Sequence, residues 1–135
     1  MAPACYADAS ALTKVVVAEP DSAALTSELH THDQIVTSII SRVEVERAVR
    51  RRADIPPADI DEALRTILGS CSFIPLDLPI AAAAGALSPA GVRSLDAIHL
   101  GSMLAVREDI DVCYCYDKRL SDAAREHGID VSAPA

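Results

Sequence analysis

Residues 5–12, CYADASAL, combine a short apolar run with one carboxylate and the small residues typical of a helix start. If the run is a buried strand, Asp8 stands at its end, where a chain usually turns. Two interpretations of Asp8 are open: it caps a helix that begins at Ala9, or it belongs to a site formed with other acids. In both, the segment predicts a strand followed directly by a helix.

Similar strand-like runs recur along the chain, and longer segments of helical composition separate them. Strands are predicted at residues 4–7, 34–37, 72–75, 112–116 and 129–132. Helices are predicted at residues 38–53, 59–68, 78–87, 94–106 and 118–127. This alternation indicates an α/β fold with a mainly parallel sheet. The length of 135 residues suits one core and is too short for two ordinary domains, so we expect a single domain over residues 1–135.

The charge balance argues against a broad basic surface for nucleic acid. The chain has 20 acids and 12 bases, a formal net charge of -8. Arginines are crowded in one segment, at Arg47, Arg50, Arg51 and Arg52. They form either a local cationic edge or an ordinary solvated helix face.

The composition also bears on the cellular compartment of the protein and on the state of its cysteines. The longest apolar run, residues 80–84, is far shorter than the roughly 20 residues of a membrane helix. The amino terminus lacks a secretory signal, so we expect a cytoplasmic protein without a membrane segment. Cys5, Cys71, Cys113 and Cys115 form no CxxC pairs, which favours buried free thiols over a metal or redox site.

Four acids occupy positions where the ends of strands and helices can meet. Asp8 follows the first predicted strand and Asp117 the fourth, so both can reach the carboxyl edge of the sheet, where ligands bind in doubly wound folds. Glu44 and Asp96 lie near helix starts in apolar surroundings. Several carboxylates in one place repel one another unless a hard divalent cation, Mg²⁺ or Mn²⁺, holds them. Metal-assisted hydrolysis of a nucleic-acid backbone is therefore a candidate chemistry.

Each acid also has a purely structural interpretation. Ser41 and Glu44 have the spacing of a capping box. Asp96 can serve the dipole of a helix that Ser94 caps, and Asp117 can belong to a plain turn. Spacing alone leaves these alternatives open.

Four segments, taken in their order along the chain, resemble a known protein family. The spacing of the acids alone does not show this. They are YADASALTKVVVAEP at 6–20, VTSIISRVEVERAVRR at 36–51, RSLDAIHLGSML at 93–104 and CYDKRLSDAAREHGIDV at 115–131. Together they resemble a PIN domain, in particular a bacterial VapC-type toxin ribonuclease, and the match runs nearly from end to end. The resemblance implies a three-layer α/β/α sandwich that binds one or two Mg²⁺ or Mn²⁺ ions and hydrolyses single-stranded or looped RNA.

The resemblance also assigns roles to individual residues. The catalytic and metal-binding acids it implies are Asp8, Glu44, Asp96 and Asp117. It implies that Ser10 orients the first carboxylate or a metal-bound water. We leave out Glu46, because helix geometry turns it away from Glu44.

Two further residues of the resembling segments affect the expected activity. Cys115 occupies a position where the family commonly has Thr or Ser, and a thiol is a weaker hydrogen-bond donor. We therefore expect either low activity or a peripheral role for the fourth acid, Asp117. For His99, a satisfied core histidine is favoured over a catalytic one, and its spacing from Asp96 permits contact.

The leading hypothesis is a metal-dependent endoribonuclease that acts as the toxin of a toxin–antitoxin pair. The resemblance implies a homodimer and a small antitoxin whose tail lies along an apolar groove and sends a basic residue toward the acids. Residues 15–17 and 39–49 either line such a groove or pack in the core. One alternative is a catalytically weak PIN-like RNA-binding or regulatory module. Another is a receiver-like phosphoacceptor domain, which fits poorly because the chain has only Lys14 and Lys118.

Overall fold

The computed structural model describes residues 4–135, so residues 1–3 of the predicted domain lie outside the described part. Its five strands are β1 Ala4–Ala7, β2 Ile35–Ser38, β3 Cys71–Ile74, β4 Ile110–Tyr114 and β5 Val131–Ser132. Its seven helices are α1 Ala9–Val16, α2 Ser22–Leu29, α3 Ile39–Arg50, α4 Pro57–Gly69, α5 Leu78–Gly85, α6 Ser94–Ala105 and α7 Lys118–Glu126.

The strands form one parallel sheet in the order β3-β2-β1-β4-β5. The chain first builds outward from β1 through β2 to β3, then crosses to the other side of β1 with β4. The order therefore reverses between β1 and β4, and ligands of open α/β sheets bind beyond the carboxyl ends of the strands at such a point. This order also differs from the 2-1-3-4-5 order of receiver domains, which removes the receiver-like alternative.

Helices cover both faces of the sheet, because β1 sends alternate side chains to opposite sides. Cys5 and Ala7 pack in one core with residues of α1 to α4. Tyr6, between them, packs in a second core with residues of α5 to α7. The predicted three-layer α/β/α sandwich is confirmed.

The predicted strands agree with the observed ones to within two residues at either end, and the five predicted helices all exist. Helix α2 was not predicted. Its sequence, SAALTSEL, buries only Leu25 and Leu29, and so few apolar contacts give no clear period.

Two predicted helix caps are wrong. Ser94 is the first residue of α6, and the residue at the N-cap is Arg93. Ser38 caps α3 by accepting a hydrogen bond from the Ile40 N–H. Ser41 is instead a buried helix residue whose hydroxyl bonds to Thr37, so it forms no capping box with Glu44.

The cysteine prediction is confirmed. Cys5, Cys113 and Cys115 are buried, Cys71 is half-buried, and all four are free thiols. Burial raises the pKa of Cys71 to about 11 and that of Cys5 to about 12, so both stay protonated at neutral pH. No helix within residues 4–135 is both long enough and apolar enough to cross a lipid bilayer.

Candidate active site

The four predicted acids share one electrostatic environment near the switch point of the sheet. Asp8 directly follows β1, and Asp117 follows the end of β4 by three residues. Burial raises the pKa of Asp96, and the negative charges of Asp117, Glu44 and Asp8 raise it further. Asp96 therefore lies within the field of all three other acids, which places the four predicted acids in one region of the molecule.

Asp8 is the most deeply buried of the four, with 4% of its surface exposed. Its Oδ1 accepts hydrogen bonds from the Ser10 hydroxyl at 2.6 Å and from the Ala11 N–H at 3.0 Å. The Ser10 oxygen in turn accepts the Tyr116 N–H at 2.9 Å, which ties this contact to the chain beyond β4. Burial raises the pKa of Asp8, while these donors favour its ionised form. The predicted orienting contact between Ser10 and Asp8 is present.

The thiol of Cys115 contacts the other oxygen of the same carboxylate. Its Sγ lies 3.2 Å from Asp8 Oδ2 and 3.4 Å from the carbonyl oxygen of Asp117. Burial, and then the charge of Asp8, raises the pKa of Cys115 to about 12. The thiol is therefore protonated and donates weakly, at a position where a hydroxyl would donate more strongly.

Glu44 is held by a buried relay that begins at β1. The Ser38 N–H donates to the Tyr6 hydroxyl at 3.2 Å, which leaves the phenolic proton for His99 Nδ1 at 2.7 Å. His99 Nε2 lies 2.7 Å from Glu44 Oε1 and donates to it in this tautomer. Burial raises the pKa of Tyr6 well above its usual range, so the phenol stays protonated. His99 is 1% exposed and fully satisfied, as predicted, and it also orients one of the acids.

Three of the acids lie at helix N-termini. Asp8 caps α1, and Asp117 caps α7 by accepting the Leu120 N–H at 3.0 Å. Asp96 lies in the first turn of α6. The positive ends of the helix dipoles stabilise negative charge at these positions. The helix-cap interpretation of Asp8 is therefore confirmed, and its membership of a site with the other acids stays a prediction.

Comparison with known proteins identifies the family. A family model described as "PIN domain" matches residues 5–126. The chain belongs to the PIN-domain family. Ribonuclease VapC47 of Mycobacterium tuberculosis (strain CDC 1551 / Oshkosh) is 34% identical over 133 residues, covering 96% of each chain. Ribonuclease VapC46 of the same species (strain ATCC 25618 / H37Rv) is 36% identical over 132 residues, covering 98% of each. The protein is thus a PIN domain of the VapC type.

Solved structures agree with this fold. A crystal structure of Mycobacterium tuberculosis VapC20, described as a sarcin-ricin loop cleaving toxin, has a TM-score of 0.68 over 88% of this chain and 94% of its own. The crystal structure of FitAcB from Neisseria gonorrhoeae has a TM-score of 0.69 over 96% and 97%. Sequence identity to each is 14%, so these two likenesses bear on the fold alone.

The donor chemistry of this PIN domain fits a hard cation such as Mg²⁺. Both nitrogens of His99 are occupied and the Cys115 thiol is protonated, so the free donors are carboxylate oxygens. Across residues 4–135, no three Asp, Glu, His or Cys side chains converge into a ready-made metal cage. Mg²⁺ keeps several of its waters when bound, so an open site lined by carboxylates suits it.

Glu46 and the two lysines of the chain are engaged with residues other than the four acids. Glu46 bonds to Arg42 at 2.9 Å and to Arg50 at 2.8 Å, in keeping with its exclusion from the predicted set. Lys14 pairs with Glu19 and Asp21, and Lys118 pairs with Asp122. Within the described chain, neither lysine forms an ion pair with any of the four acids.

Sequence reasoning missed Tyr6, which forms the relay to Glu44. Its only sequence signal is a tyrosine at the centre of a strand otherwise built from small residues. A buried phenol needs a polar partner, but the sequence does not show that the partner is His99, 93 residues away.

Proposed function

We propose that this protein is a divalent-metal-dependent endoribonuclease and the toxin of a VapBC-type toxin–antitoxin pair. The observation that carries the proposal is the set of four carboxylates near the switch point, in which Asp96 feels the charge of the other three and Asp8 is buried. We assign Asp8, Glu44, Asp96 and Asp117 to Mg²⁺ binding, with Mn²⁺ as a substitute. The ribonuclease names of relatives at 34% and 36% identity support RNA as the substrate. We expect the protein to act in the cytoplasm.

The side chains around the acids prepare them for this role. A bound divalent ion supplies charge stabilisation at the scissile phosphate and makes a water molecule a better nucleophile. Ser10 and Cys115 fix the two oxygens of Asp8, and His99 fixes Glu44. Ligands held in this way lose little side-chain freedom when the ion binds.

The test is cleavage of total RNA by the purified protein with Mg²⁺, with Mn²⁺ and with excess chelator. We expect cleavage only with a divalent ion, and loss of cleavage in Asp8→Asn and Asp96→Asn. Both variants remove charge and keep shape, and circular dichroism checks that they fold. Glu46→Gln is the matched control: it lies two residues from Glu44 but bonds to Arg42 and Arg50. It should cut as fast as the unsubstituted protein.

Cleavage that persists in excess chelator, or in either folded Asp→Asn variant, contradicts the site assignment. Loss of cleavage in Glu46→Gln contradicts the distinction between the two glutamates of α3.

A catalytically weak RNA-binding module is the second candidate, and Cys115 is the observation in its favour. The thiol gives Asp8 a weaker hydrogen bond than a hydroxyl gives. Single-turnover measurements on one RNA separate the candidates. Tight binding without cleavage by the unsubstituted protein, at any Mg²⁺ or Mn²⁺ concentration, supports the weak module and removes the nuclease.

The partner we propose is a small antitoxin. A cleft of about 600 Å³ runs between α1, α2 and α4, and its apolar lining includes Val15, Val16 and Leu29. Val17 belongs to the core instead. Of the second predicted groove segment, Val45 and Val49 are core residues, whereas Val43 is 62% exposed. We propose that an apolar antitoxin tail occupies the cleft between α1, α2 and α4 and directs an arginine toward the acids. The planar guanidinium of arginine can bond a carboxylate through two N–H groups.

We also propose that the toxin forms a homodimer. Large apolar side chains remain on the surface, with Leu78 81% exposed and Leu76 40% exposed. Co-expression with a small antitoxin encoded beside this gene should give a stable complex that does not cut RNA. Light scattering of the free protein should give twice the mass of one chain. A complex that cuts as fast as the free protein contradicts the toxin assignment, and a monomeric mass contradicts the dimer.

A further inference from the structure

The arginines of this acidic protein divide into two groups. Five are engaged in ion pairs or hydrogen bonds, namely Arg42, Arg50, Arg52, Arg107 and Arg125. The other five form none within residues 4–135, and these are Arg47, Arg51, Arg65, Arg93 and Arg119. The predicted cationic edge is therefore only half available, because Arg50 and Arg52 are neutralised by neighbouring acids. With 20 acids in the chain, an arginine without an acidic partner needs an explanation.

Four of the five unpaired arginines line two clefts that border the acids. The α3 cleft, about 630 Å³, is lined by Arg47 and Arg51 together with Ser10 and Glu44. The α6–α7 cleft, about 280 Å³, is lined by Arg93 and Arg119 together with Asp96. Each cleft thus pairs cations that have no partner with one of the proposed metal ligands.

The positions of Arg93 and Arg119 are not explained by folding, whereas Arg47 and Arg51 lie at the carboxyl end of α3, where a cation complements the helix dipole. Arg47, in the last turn of α3, and Arg51, its C-cap, follow Glu44 by three and seven residues, so both lie on the same side as Glu44. Arg93 is the N-cap of α6, and Arg119 lies in the first turn of α7. A cation at a helix N-terminus opposes the helix dipole and destabilises the helix by a few tenths to about 1 kcal/mol. Arg93 and Arg119 are therefore placed where an anion from outside the chain would offset this cost.

The α3 cleft also has an apolar wall. Val43 and Leu95, 62% and 51% exposed, line it beside the two arginines. Unpaired bases can pack against an apolar surface, whereas the bases of a duplex are stacked inward and out of reach. The wall favours a single strand as the occupant.

We propose that one RNA strand crosses the acids, with its phosphates held by Arg47 and Arg51 on one side and by Arg93 and Arg119 on the other. This inference rests on the proposed function and adds the path of the substrate. Arginine suits the task because its planar guanidinium bonds two phosphate oxygens at once. The path lets a protein of net charge -8 bind a polyanion, because its unpaired cations are concentrated where the strand runs.

The experiment measures binding of a fluorescein-labelled oligouridylate as a function of salt, with Mg²⁺ present and in the Asp8→Asn background, where the probe stays intact. The test variants are Arg47→Gln with Arg51→Gln, and Arg93→Gln with Arg119→Gln. Each lost contact with a single strand should lower the slope of log affinity against log salt by about 0.7, so each pair should lower it by about 1.4. Arg65→Gln is the control, because this unpaired arginine lines a cleft that holds none of the four acids.

Shortening the probe tests the continuous path. Removal of nucleotides from one end should abolish the effect of one arginine pair and preserve the effect of the other. Removal from the opposite end should reverse the result. Equal loss of both effects from either end overturns the path and leaves a diffuse attraction.

The outcomes separate this inference from the proposed function. If the arginine-pair variants have the same salt slope as Arg65→Gln, and the unsubstituted protein cuts RNA, the proposed RNA path is wrong and the nuclease proposal stands. If binding depends on the arginines but the unsubstituted protein never cuts RNA, the proposed RNA path stands and the nuclease proposal is wrong. Variants that bind the oligouridylate normally but lose the antitoxin assign the clefts to the protein partner and overturn the inference.

Discussion

Asp8 is a carboxylate whose two oxygens are held by different donors. Ser10 and the Ala11 N–H bond to Oδ1, and the Cys115 thiol bonds to Oδ2. These contacts favour the ionised form, while burial opposes it and prevails, so the pKa of Asp8 is raised. A carboxylate with a raised pKa takes up its proton at higher pH than an exposed aspartate does. The strength of each donor should therefore be visible in the pH dependence of cleavage.

We predict that replacing Cys115 shifts the acid limb of the pH–rate profile. Cys115→Ala removes a donor to the ionised carboxylate, so the pKa of Asp8 rises and the limb moves to higher pH. Cys115→Ser provides a stronger donor of similar size, so the limb moves to lower pH and the rate at neutral pH is unchanged or higher. Single-turnover rates across pH measure both. A large loss of rate in folded Cys115→Ser indicates that the thiol has a role of its own.

We predict that His99 acts through Glu44. His99→Leu removes the donor to Glu44 Oε1 and leaves the Tyr6 hydroxyl without its acceptor, so the Mg²⁺ affinity or the rate should fall about 10–100-fold. His99→Gln keeps an N–H near the position of Nε2 and should recover part of the loss. The measurement is the cleavage rate as a function of Mg²⁺ concentration.

A double substitution controls for simple destabilisation. In the Glu44→Gln background, His99→Leu should cause little further loss, because the residue it orients is already changed. Urea unfolding of each variant measures stability separately. Additive losses, or equal rates for His99→Leu and His99→Gln, contradict the positioning role.

At the scale of secondary-structure elements, three helices begin at the acids, and Asp117 has one shown role, as the cap of α7, beside its proposed role in the site. Its Oδ1 caps α7 through the Leu120 N–H, and its charge contributes to the raised pKa of Asp96. The helix needs an acceptor at this position, whereas the metal needs a negative oxygen. Substitutions can separate these two requirements.

We predict that Asp117→Asn keeps the stability of the domain and that Asp117→Ala does not. Asparagine is as good an N-cap as aspartate, while alanine costs about 0.5–2 kcal/mol. Both variants should lose metal-dependent cleavage, because both remove the charge. Urea unfolding gives the stabilities and RNA cleavage the activities. Full activity in Asp117→Asn would show that the fourth acid is peripheral. That is the alternative raised by the natural cysteine at position 115, where the family commonly has Thr or Ser.

The elements that the sequence predicts well are those with strong local signals. The strands are short apolar runs between turn residues, and their bounds agree to within two residues. Helix α2 lacks such a signal, since it is held by the packing of Leu25 and Leu29 beneath its neighbours. The cap of α3 was misplaced because Ser38 and Ser41 both fit the local pattern, and only the pairing of Ser41 with Thr37 decides between them.

The acids of the proposed site could be named from their segments, but the residues that hold them could not. Asp8, Asp96 and Asp117 stand at ends of elements that the sequence reveals. The contacts that hold them join distant parts of the chain: Cys115 reaches Asp8 across 107 residues, and His99 reaches Glu44 across 55. No local pattern encodes such pairs, because they depend on the order in which β1 and β4 join the sheet.

For the molecule as a whole, the acidic site is a source of instability when no cation is bound. The pKa of Asp96 is raised by burial and by the other three acids, so the folded state binds its proton more tightly than the unfolded state does. The stability that this proton confers is complete below the unfolded pKa of about 3.9 and is lost as pH rises through the higher folded pKa. At neutral pH the metal-free protein therefore carries the full repulsion.

We predict that Asp96→Asn is more stable than the unsubstituted protein at neutral pH in chelator. The difference should shrink as pH falls through the folded pKa of Asp96, because the protonated acid and the amide then carry the same charge. Divalent metal should reverse the order: Mg²⁺ at one hundred times its dissociation constant stabilises the unsubstituted fold by about 2.7 kcal/mol, and the variant gains less because it has lost a ligand. Urea unfolding with and without Mg²⁺ measures both effects, with Glu46→Gln, which keeps all four acids, as the control. If Mg²⁺ stabilises Asp96→Asn as much as the unsubstituted protein, Asp96 does not bind the ion. Metal binding then does not explain why these carboxylates lie close together.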